Sequence, residues 1–416
     1  MAKYQSRHSR IYSRKKERSG GRSFVLLLVV LLLLMAVCAA GYWFFLRPLT
    51  TEIKGLGPDD YAVTGLSKVW NPEYGEDITD TITITPGAGR TVRIQKMDPA
   101  TNEWKTMQTI TTEKAKDFLH ARDVSTELSI TIPAKDYGKK ASSWRLKVDA
   151  EFLQGGSLVT ETYQVIPYNT GKDPKVTSES AAVIRVSDGL LVYGKNPYEE
   201  LPNASTTKLM TSLISMEGRT GDEEVVMSKE AASTEYGDLW AHEGDIFLMK
   251  DLWNALLIAS SNDAAAGIAE ACAGSQEAFA DEMNKKAEEL GLKHTHFVNP
   301  HGLDADGHYS CTYDLVQMAR ANWDDQRFRK ILLMDKCKLN PTNDIHRINT
   351  LYTTNKLLEE EIPGHLGAKT GYTTNAKACI VTLYEYDGEV YATAVLKSTD
   401  RWNDSKKLYA YIRSVA

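Results

Sequence analysis

Three short motifs, far apart in the chain but fixed in order, constrain this sequence more than any other feature. They are Ser205-Thr206-Thr207-Lys208, Ser260-Ser261-Asn262 and Lys369-Thr370-Gly371. Each asks for a particular local structure. Ser205 and Lys208 are three residues apart, and at the start of a helix that spacing puts both side chains on one face. A serine hydroxyl is a weak nucleophile that needs a base within hydrogen-bond reach. A lysine serves if burial and nearby cations lower its pKa from about 10.4, and the positive end of the helix favours negative charge on the serine oxygen. Ser260-Ser261-Asn262-Asp263 falls where one apolar helix stops and another starts. There Ser260 can pass a proton, the Asn262 amide can hold Lys208 and a substrate carbonyl, and Asp263 suits the cap of the following helix. Lys369-Thr370-Gly371 precedes Tyr372 and a strand. Its glycine lets a peptide backbone approach closely, and an exposed strand can pair with an extended substrate. Its lysine and threonine offer charge and a donor to a carboxylate. Taken singly, Ser205–Lys208 and Lys369–Gly371 read better as a capped helix and a surface turn, and Ser260–Asn262 as a helix junction. Their order and context carry the chemistry.

The N-terminal end limits where such a site can work. Residues 1–23 are basic, with Lys3, Arg7, Arg10, Arg14, Lys15, Lys16, Arg18 and Arg22 against the single acid Glu17. An uncharged apolar run follows from Phe24 to Leu46. As helix it measures about 35 Å, enough for a hydrocarbon core of about 30 Å. Tyr42 and Trp43 lie near its far end, where such rings favour the membrane interface. A cleaved signal peptide has a shorter apolar stretch, although Cys38-Ala39-Ala40 offers a cleavage site. The length favours an uncleaved anchor over 24–46, a cytoplasmic tail over 1–23 and an extracellular remainder. The chain holds 49 Lys and Arg and 55 Asp and Glu; nine basic residues and one acid precede Pro48, which leaves 40 basic against 54 acidic beyond it. That acidic remainder excludes nucleic acid as an expected partner. The basic tail is explained by topology and anionic inner-leaflet lipid.

Residues 50–168 alternate and turn. Thr81–Thr85, Thr91–Gln95, Leu128–Ile132, Trp144–Val148 and Val159–Tyr163 read as strands separated by breakers such as Pro86-Gly87-Ala88-Gly89. The spacing predicts a small all-β, sandwich-like domain without a catalytic cluster. Residues 169–177 read as a linker. From 178 to 416 the pattern becomes α+β. Strands are expected at Ala181–Val186, Leu190–Gly194, Ala378–Tyr384 and Val390–Leu396. Helices are expected from Ser205, over 250–260, 263–272 and 275–289, and over Ser405–Ile412.

The segments Pro202–Met210, Ser260–Ala265, Phe297-Val298-Asn299-Pro300-His301-Gly302-Leu303 and Gly367–Thr373 together resemble the low-molecular-mass penicillin-binding proteins of the D-alanyl-D-alanine carboxypeptidase family. The resemblance runs from about Ser178 to Ala416. It implies the penicillin-binding/β-lactamase-like transpeptidase fold, an antiparallel sheet with a helical cluster. It also implies a serine-type D-Ala-D-Ala carboxypeptidase that acts on peptidoglycan stem peptides and is acylated by β-lactams. In that scheme Ser205 is the nucleophile and Lys208 its base, and Ser260, Asn262 and Lys369 complete the proton network. Thr370 and Gly371 line the substrate strand, the amides of Ser205 and Tyr372 form the oxyanion hole, and Arg401 faces the substrate's terminal carboxylate. No cofactor is needed. Many relatives carry glycine where this chain has Lys377. A DD-endopeptidase on the same fold is the nearest alternative. A β-lactamase would need a water held for fast deacylation, and a wall-binding protein with vestigial motifs is further off.

His294, His296, His301 and His308, with Asp304 and Asp306, suggest a metal site by composition only. Neither an H-E-x-x-H frame nor the twelve-residue calcium-loop pattern is present, and no metal is expected. The resemblance makes this stretch a loop packed below the site. Cys272, Cys311, Cys337 and Cys379 could pair in three ways or remain buried thiols.

Overall fold

The computed structural model describes residues 29–39, 52–54, 62–85, 87–114, 125–149 and 157–416. The basic tail and residues 24–28 and 40–46 of the expected anchor lie outside the described residues. The remaining part, 29–39, is helical with exposed apolar side chains. Among the described residues no helix is long and apolar enough to cross a membrane. The rest of the chain forms two compact units that divide between Ile166 and Pro167.

The first unit holds a seven-stranded sheet and a three-stranded sheet. Ile78–Thr85 pairs antiparallel with Ala62–Thr64 and with Thr126–Ile132. Thr91–Asp98 lies between Glu103–Thr111 and Ser142–Val148. Period-2 alternation sends Ile82, Ile84, Ile130 and Ile132 of the smaller sheet, and Val92, Ile94, Trp144, Leu146 and Val148 of the larger, into one buried cluster. The single strand expected over Val159–Tyr163 is instead two, Ser157–Val159 and Tyr163–Val165. Thr160 breaks it. Its hydroxyl accepts the Leu146 N–H at 2.9 Å while its own N–H donates to the Leu146 carbonyl at 3.0 Å. A side chain thus takes a ladder position and the chain leaves the sheet.

The second unit is built on a five-stranded antiparallel sheet. Its order is Leu191–Lys195, Ser180–Arg185, Glu389–Ser398, Lys377–Tyr386 and His365–Thr373. The chain's first and last strands of this unit are therefore neighbours, and Lys369-Thr370-Gly371 sits on the outer strand. One face packs on the closing helix Arg401–Val415 through Ala181, Val183, Ile380, Tyr384, Leu408 and Ile412. The other face meets a helical layer that includes Lys208–Met216, Asn262–Ala273, Gln276–Glu289 and Thr312–Asn322, with Leu209, Met210, Ile268, Phe279, Leu315 and Val316 buried.

Polar groups lock the ends of this unit together. The Asp404 carboxylate, on the closing helix and fully buried, accepts hydrogen bonds from the Thr177 N–H (2.8 Å), the Thr177 hydroxyl (2.7 Å), the Ser178 N–H (3.0 Å) and the Ser398 hydroxyl (2.7 Å). Asp404→Ala leaves the buried Ser178 N–H and Ser398 hydroxyl without their acceptor, and each unsatisfied buried group costs about 1–3 kcal/mol. We expect a loss of about 3 kcal/mol in urea denaturation followed by tryptophan fluorescence. A loss below about 1 kcal/mol contradicts the role.

Candidate active site

The nucleophile turn is tighter than a regular helix start. Ala204–Thr207 is a 3₁₀ turn, and the α-helix begins at Lys208. Ala204 enters the turn with φ +49°, a left-handed conformation that a non-glycine residue holds only under constraint. Within the turn Ser205 and Lys208 still share a face, and Lys208 Nζ lies 2.9 Å from Ser205 Oγ.

Lys208 is fully buried and has three partners: Ser205 Oγ, Asn262 Oδ1 at 2.7 Å and the His301 carbonyl at 2.7 Å. Two of these are pure acceptors. The Asn262 amide is held with its oxygen towards the lysine because its Nδ2 donates to the Glu235 carbonyl at 2.8 Å. A neutral amine has two N–H donors and one lone pair. The donors satisfy Asn262 and His301, and the lone pair is left facing the Ser205 O–H. Burial favours that state: it pushes Lys208 down to about 7, against the opposing pull of Asp238 and Asp263.

The second motif is placed by a break between helices. The helix Met249–Asn254 continues as a π turn, Ala255–Ala259, and Ser260 ends it at φ +65°. A π turn widens the helix by one residue, and the reversal at Ser260 turns its side chain to Lys369, whose Nζ donates to Ser260 Oγ at 2.7 Å. Asn262 opens the next helix. Asp263 is not the expected cap: Ser261 takes the N-cap position, and Asp263, in the first turn, accepts the N–H of its neighbour Ala264 at 2.9 Å and the Leu239 (3.3 Å) and Ala241 (3.4 Å) amides. It therefore also holds the loop that supplies the Glu235 carbonyl.

The third motif lies on the edge strand. Lys369 Nζ also donates to the Thr370 carbonyl at 2.7 Å, and the Thr370 hydroxyl bonds the Thr354 hydroxyl at 2.6 Å. Burial, then Lys208, then Arg401 push the Lys369 pKa well below the ordinary lysine range. Gly371 is where strand and nucleophile turn meet. A Cβ there would stand 3.0 Å from the Ser205 nitrogen and 3.1 Å from Ala204 Cβ, so glycine is what lets them close. Tyr372 is exposed beside them. Arg401, in the first turn of the closing helix, donates from Nη1 to the carbonyls of Gly371 (2.6 Å) and Cys379 (3.2 Å). It braces the end of the edge strand.

The structure thus brings Ser205, Lys208, Ser260, Asn262, Lys369, Thr370 and Gly371 into one cleft, with Tyr372 and Arg401 at its edge-strand end. Motif reading did not supply the carbonyls of Glu235 and His301 or the Thr354 hydroxyl. The first two are backbone atoms and leave no side-chain signature. Lys377 has φ +55°, a conformation glycine takes without strain, which fits the glycine that the family resemblance leads one to expect there. The histidines do not converge. His294 bonds Glu200, His296 bonds the Gly307 carbonyl, and His308 bonds Thr207. Among the described residues no group of three or more His, Cys, Asp or Glu is arranged to hold a metal. The five cysteines are free.

A family model described as D-alanyl-D-alanine carboxypeptidase matches residues 168–399. The D-alanyl-D-alanine carboxypeptidase DacF of Bacillus subtilis is 38% identical over 241 residues, which covers 54% of this chain and 60% of that protein. The D-alanyl-D-alanine endopeptidase of Pseudomonas aeruginosa is 29% identical over 214 residues, 50% of this chain and 67% of that one. The chain spans about 60% of the length of the first of these relatives. Among solved structures, the D-alanyl-D-alanine carboxypeptidase of Mycobacterium tuberculosis H37Rv superposes with a TM-score of 0.55 at 25% identity, covering 58% of this chain and 93% of that one. The Streptomyces K15 DD-transpeptidase gives 0.54 at 24% identity, covering 58% and 98%. These likenesses show a penicillin-binding-protein-like fold of mixed α and β.

With Lys208 as base, the rate at which Ser205 is acylated by a β-lactam should rise as pH increases through about 7. Protonation below that value occupies the lone pair. Stopped-flow acylation between pH 5.5 and 9 checks this. A rate independent of pH across that window, or one that rises only near 10, contradicts it.

Proposed function

The chain belongs to the D-alanyl-D-alanine carboxypeptidase family, and we propose that it is a serine-type carboxypeptidase that removes the terminal D-alanine from peptidoglycan stem peptides. The observation that carries this reading is Lys208: a fully buried amine with Asn262 Oδ1, the His301 carbonyl and Ser205 Oγ within hydrogen-bond reach, so that in its neutral form the first two take its hydrogens and Ser205 is left to its lone pair. As Ser205 attacks the carbonyl between the two D-alanines, Lys208 takes its proton. The amides of Ser205 and Tyr372 receive the developing oxyanion. The proton taken by Lys208 is passed on through Ser260, which is bonded to Lys369, to the leaving amine of D-alanine, so that Lys208 is neutral again when the C–N bond has broken. Water then attacks the acyl-enzyme, with Lys208 again as base. An extended stem peptide pairs with the free edge of His365–Thr373 in the manner of an added strand.

The terminal carboxylate is read by Thr370 and Arg401, and its charge restores the proton that burial disfavours on Lys369. Arg401 already spends Nη1 on the carbonyls of Gly371 and Cys379; its remaining N–H donors are the ones this reading gives to the carboxylate. Cleavage of cross-links is the second reading, favoured by the name of the Pseudomonas relative. The basic tail and apolar run support a single-pass anchor over 24–46, with the catalytic unit outside the cell. The first unit is then a sandwich-like spacer between membrane and wall. Both assignments rest on the charge asymmetry and the length of the apolar run.

Incubation with a pentapeptide and with a cross-linked dimer, followed by mass analysis, separates the readings. D-alanine release from the pentapeptide with an intact dimer supports the carboxypeptidase; the reverse supports the endopeptidase. Ser205→Ala should abolish both D-alanine release and covalent β-lactam labelling, and label persisting in that variant would move the nucleophile elsewhere.

Arg401→Ala should lower peptide hydrolysis by about 10- to 100-fold, as expected for a lost charged hydrogen bond, and should lower β-lactam acylation less. Equal losses would reduce Arg401 to a brace for the strand.

A further inference from the structure

The left-handed residue before the nucleophile is held from behind by a chain of hydrogen bonds that no proton-transfer step uses. Thr207 Oγ1 is its hub. It donates to the Ala204 carbonyl at 2.8 Å and accepts from Asn203 Nδ2 at 2.9 Å. His308 Nε2 lies 2.8 Å away. The histidine's direction follows from its other nitrogen. His308 Nδ1 accepts the Val298 N–H at 3.1 Å, so in the neutral ring the hydrogen is on Nε2 and points at Thr207. His308 is buried, with the Phe297 ring edge-on to it at 5.7 Å. Burial pushes it down to about 4, so the neutral form is the one present at ordinary pH.

Beside Thr207, Gly302 packs against the same carbonyl. A Cβ on Gly302, which has φ +90°, would stand 2.0 Å from the Ala204 oxygen. A trans peptide is planar, with its C=O and N–H pointing in opposite directions. Fixing the Ala204 oxygen therefore aims the Ser205 N–H. The Ser205 nitrogen lies beside Gly371, where an added Cβ would stand 3.0 Å from it, on the side that the proposed mechanism gives to the substrate carbonyl.

We infer that His308 is a positioning residue for acylation: through the Thr207 hydroxyl it fixes the Ala204–Ser205 peptide plane so that the Ser205 N–H meets the oxyanion. The inference rests on the reading of Ser205 as nucleophile. Its consequence is selective. The lost interaction is one the transition state uses and the bound substrate does not.

The test compares His308→Leu, His308→Gln and Thr207→Val with the full-length protein in β-lactam acylation and in affinity for a peptide boronic acid. The boronate forms a tetrahedral adduct on the serine and places an oxygen in the oxyanion hole. His308→Leu and Thr207→Val should each lose about 10-fold or more in acylation rate. A complete loss of one oxyanion donor costs about 10²–10³, and here the donor is misaimed rather than removed. Boronate affinity should fall by a similar factor. Binding of uncleaved peptide, measured in the Ser205→Ala background, should be unchanged. His308→Gln keeps an N–H near the Nε2 position and should recover to within about threefold of wild type.

Acylation and boronate affinity unaffected in His308→Leu would overturn the inference, as would equal losses in boronate and uncleaved-peptide binding. If His308→Leu does not fold, Thr207→Val decides between the same outcomes. A wild-type protein that takes no β-lactam label removes the reading of Ser205 and this inference with it. A labelled wild type with an unimpaired His308→Leu removes this inference alone.

Discussion

The site depends on one buried amine. Lys208 has no contact with solvent, and its three partners come from three separate parts of the chain: Ser205, Asn262 and the His301 carbonyl. An ammonium in that position would carry a third hydrogen with only the serine oxygen to receive it, and it would bear the full cost of desolvation. A neutral amine fits the three partners without remainder. The surrounding fold can be understood as the means of assembling them. The 3₁₀ turn gives the serine, the junction after the π turn gives the amide, and the loop ending in His301-Gly302 gives the carbonyl. The loop held by Asp263 fixes which end of the Asn262 amide faces the lysine.

The edge strand completes the cleft from the other side. Gly371 lets it close on the Ser205 amide, Thr354 braces the Thr370 hydroxyl, and Arg401 ties the Gly371 carbonyl to that of Cys379 on the next strand. Lys369 is a second buried amine in the cleft. Two positive charges so near each other disfavour their charged forms, and an anionic substrate relieves that repulsion. On the proposed function, the electrostatics that favour a neutral Lys208 also favour a carboxylate in the cleft.

Much of this was legible in the sequence, for physical reasons that can be named. Ser205 and Lys208, Ser260 and Asn262, and Lys369 to Gly371 are side chains whose chemistry shows in their type and spacing. Four of the five strands of the catalytic sheet are largely apolar because both faces are covered, and these could be bounded to within about three residues of their ends; the fifth, His365–Thr373, carries the lysine motif instead. What was not legible has equally specific causes. The Glu235 and His301 acceptors are backbone atoms. The left-handed Ser260 and the π turn before it follow from tertiary closure, not propensity. Thr160 ends a strand by a side-chain bond that its β-branched type would not suggest. Glu103–Thr111 is exposed along most of its length and lacks an alternating pattern. Thr312–Asn322 did carry a helical signal, with Leu315, Val316, Met318 and Ala319 on its buried face, but its cap is the unusual Cys311. His308 looked like part of a loose histidine cluster until its neighbours showed it bonded to Thr207 alone among the nucleophile-turn residues.

The state of Lys208 can be observed without reference to turnover. In protein labelled with ¹³C and ¹⁵N at lysine, the Lys208 side-chain resonance can be assigned by its loss in Lys208→Arg and distinguished from Lys369 by Lys369→Arg. Its titration between pH 5 and 11 then reads the protonation directly. The account predicts a midpoint near 7, with a neutral amine above it. A Lys208 resonance that titrates near 10.4, like an ordinary exposed lysine, would contradict the account.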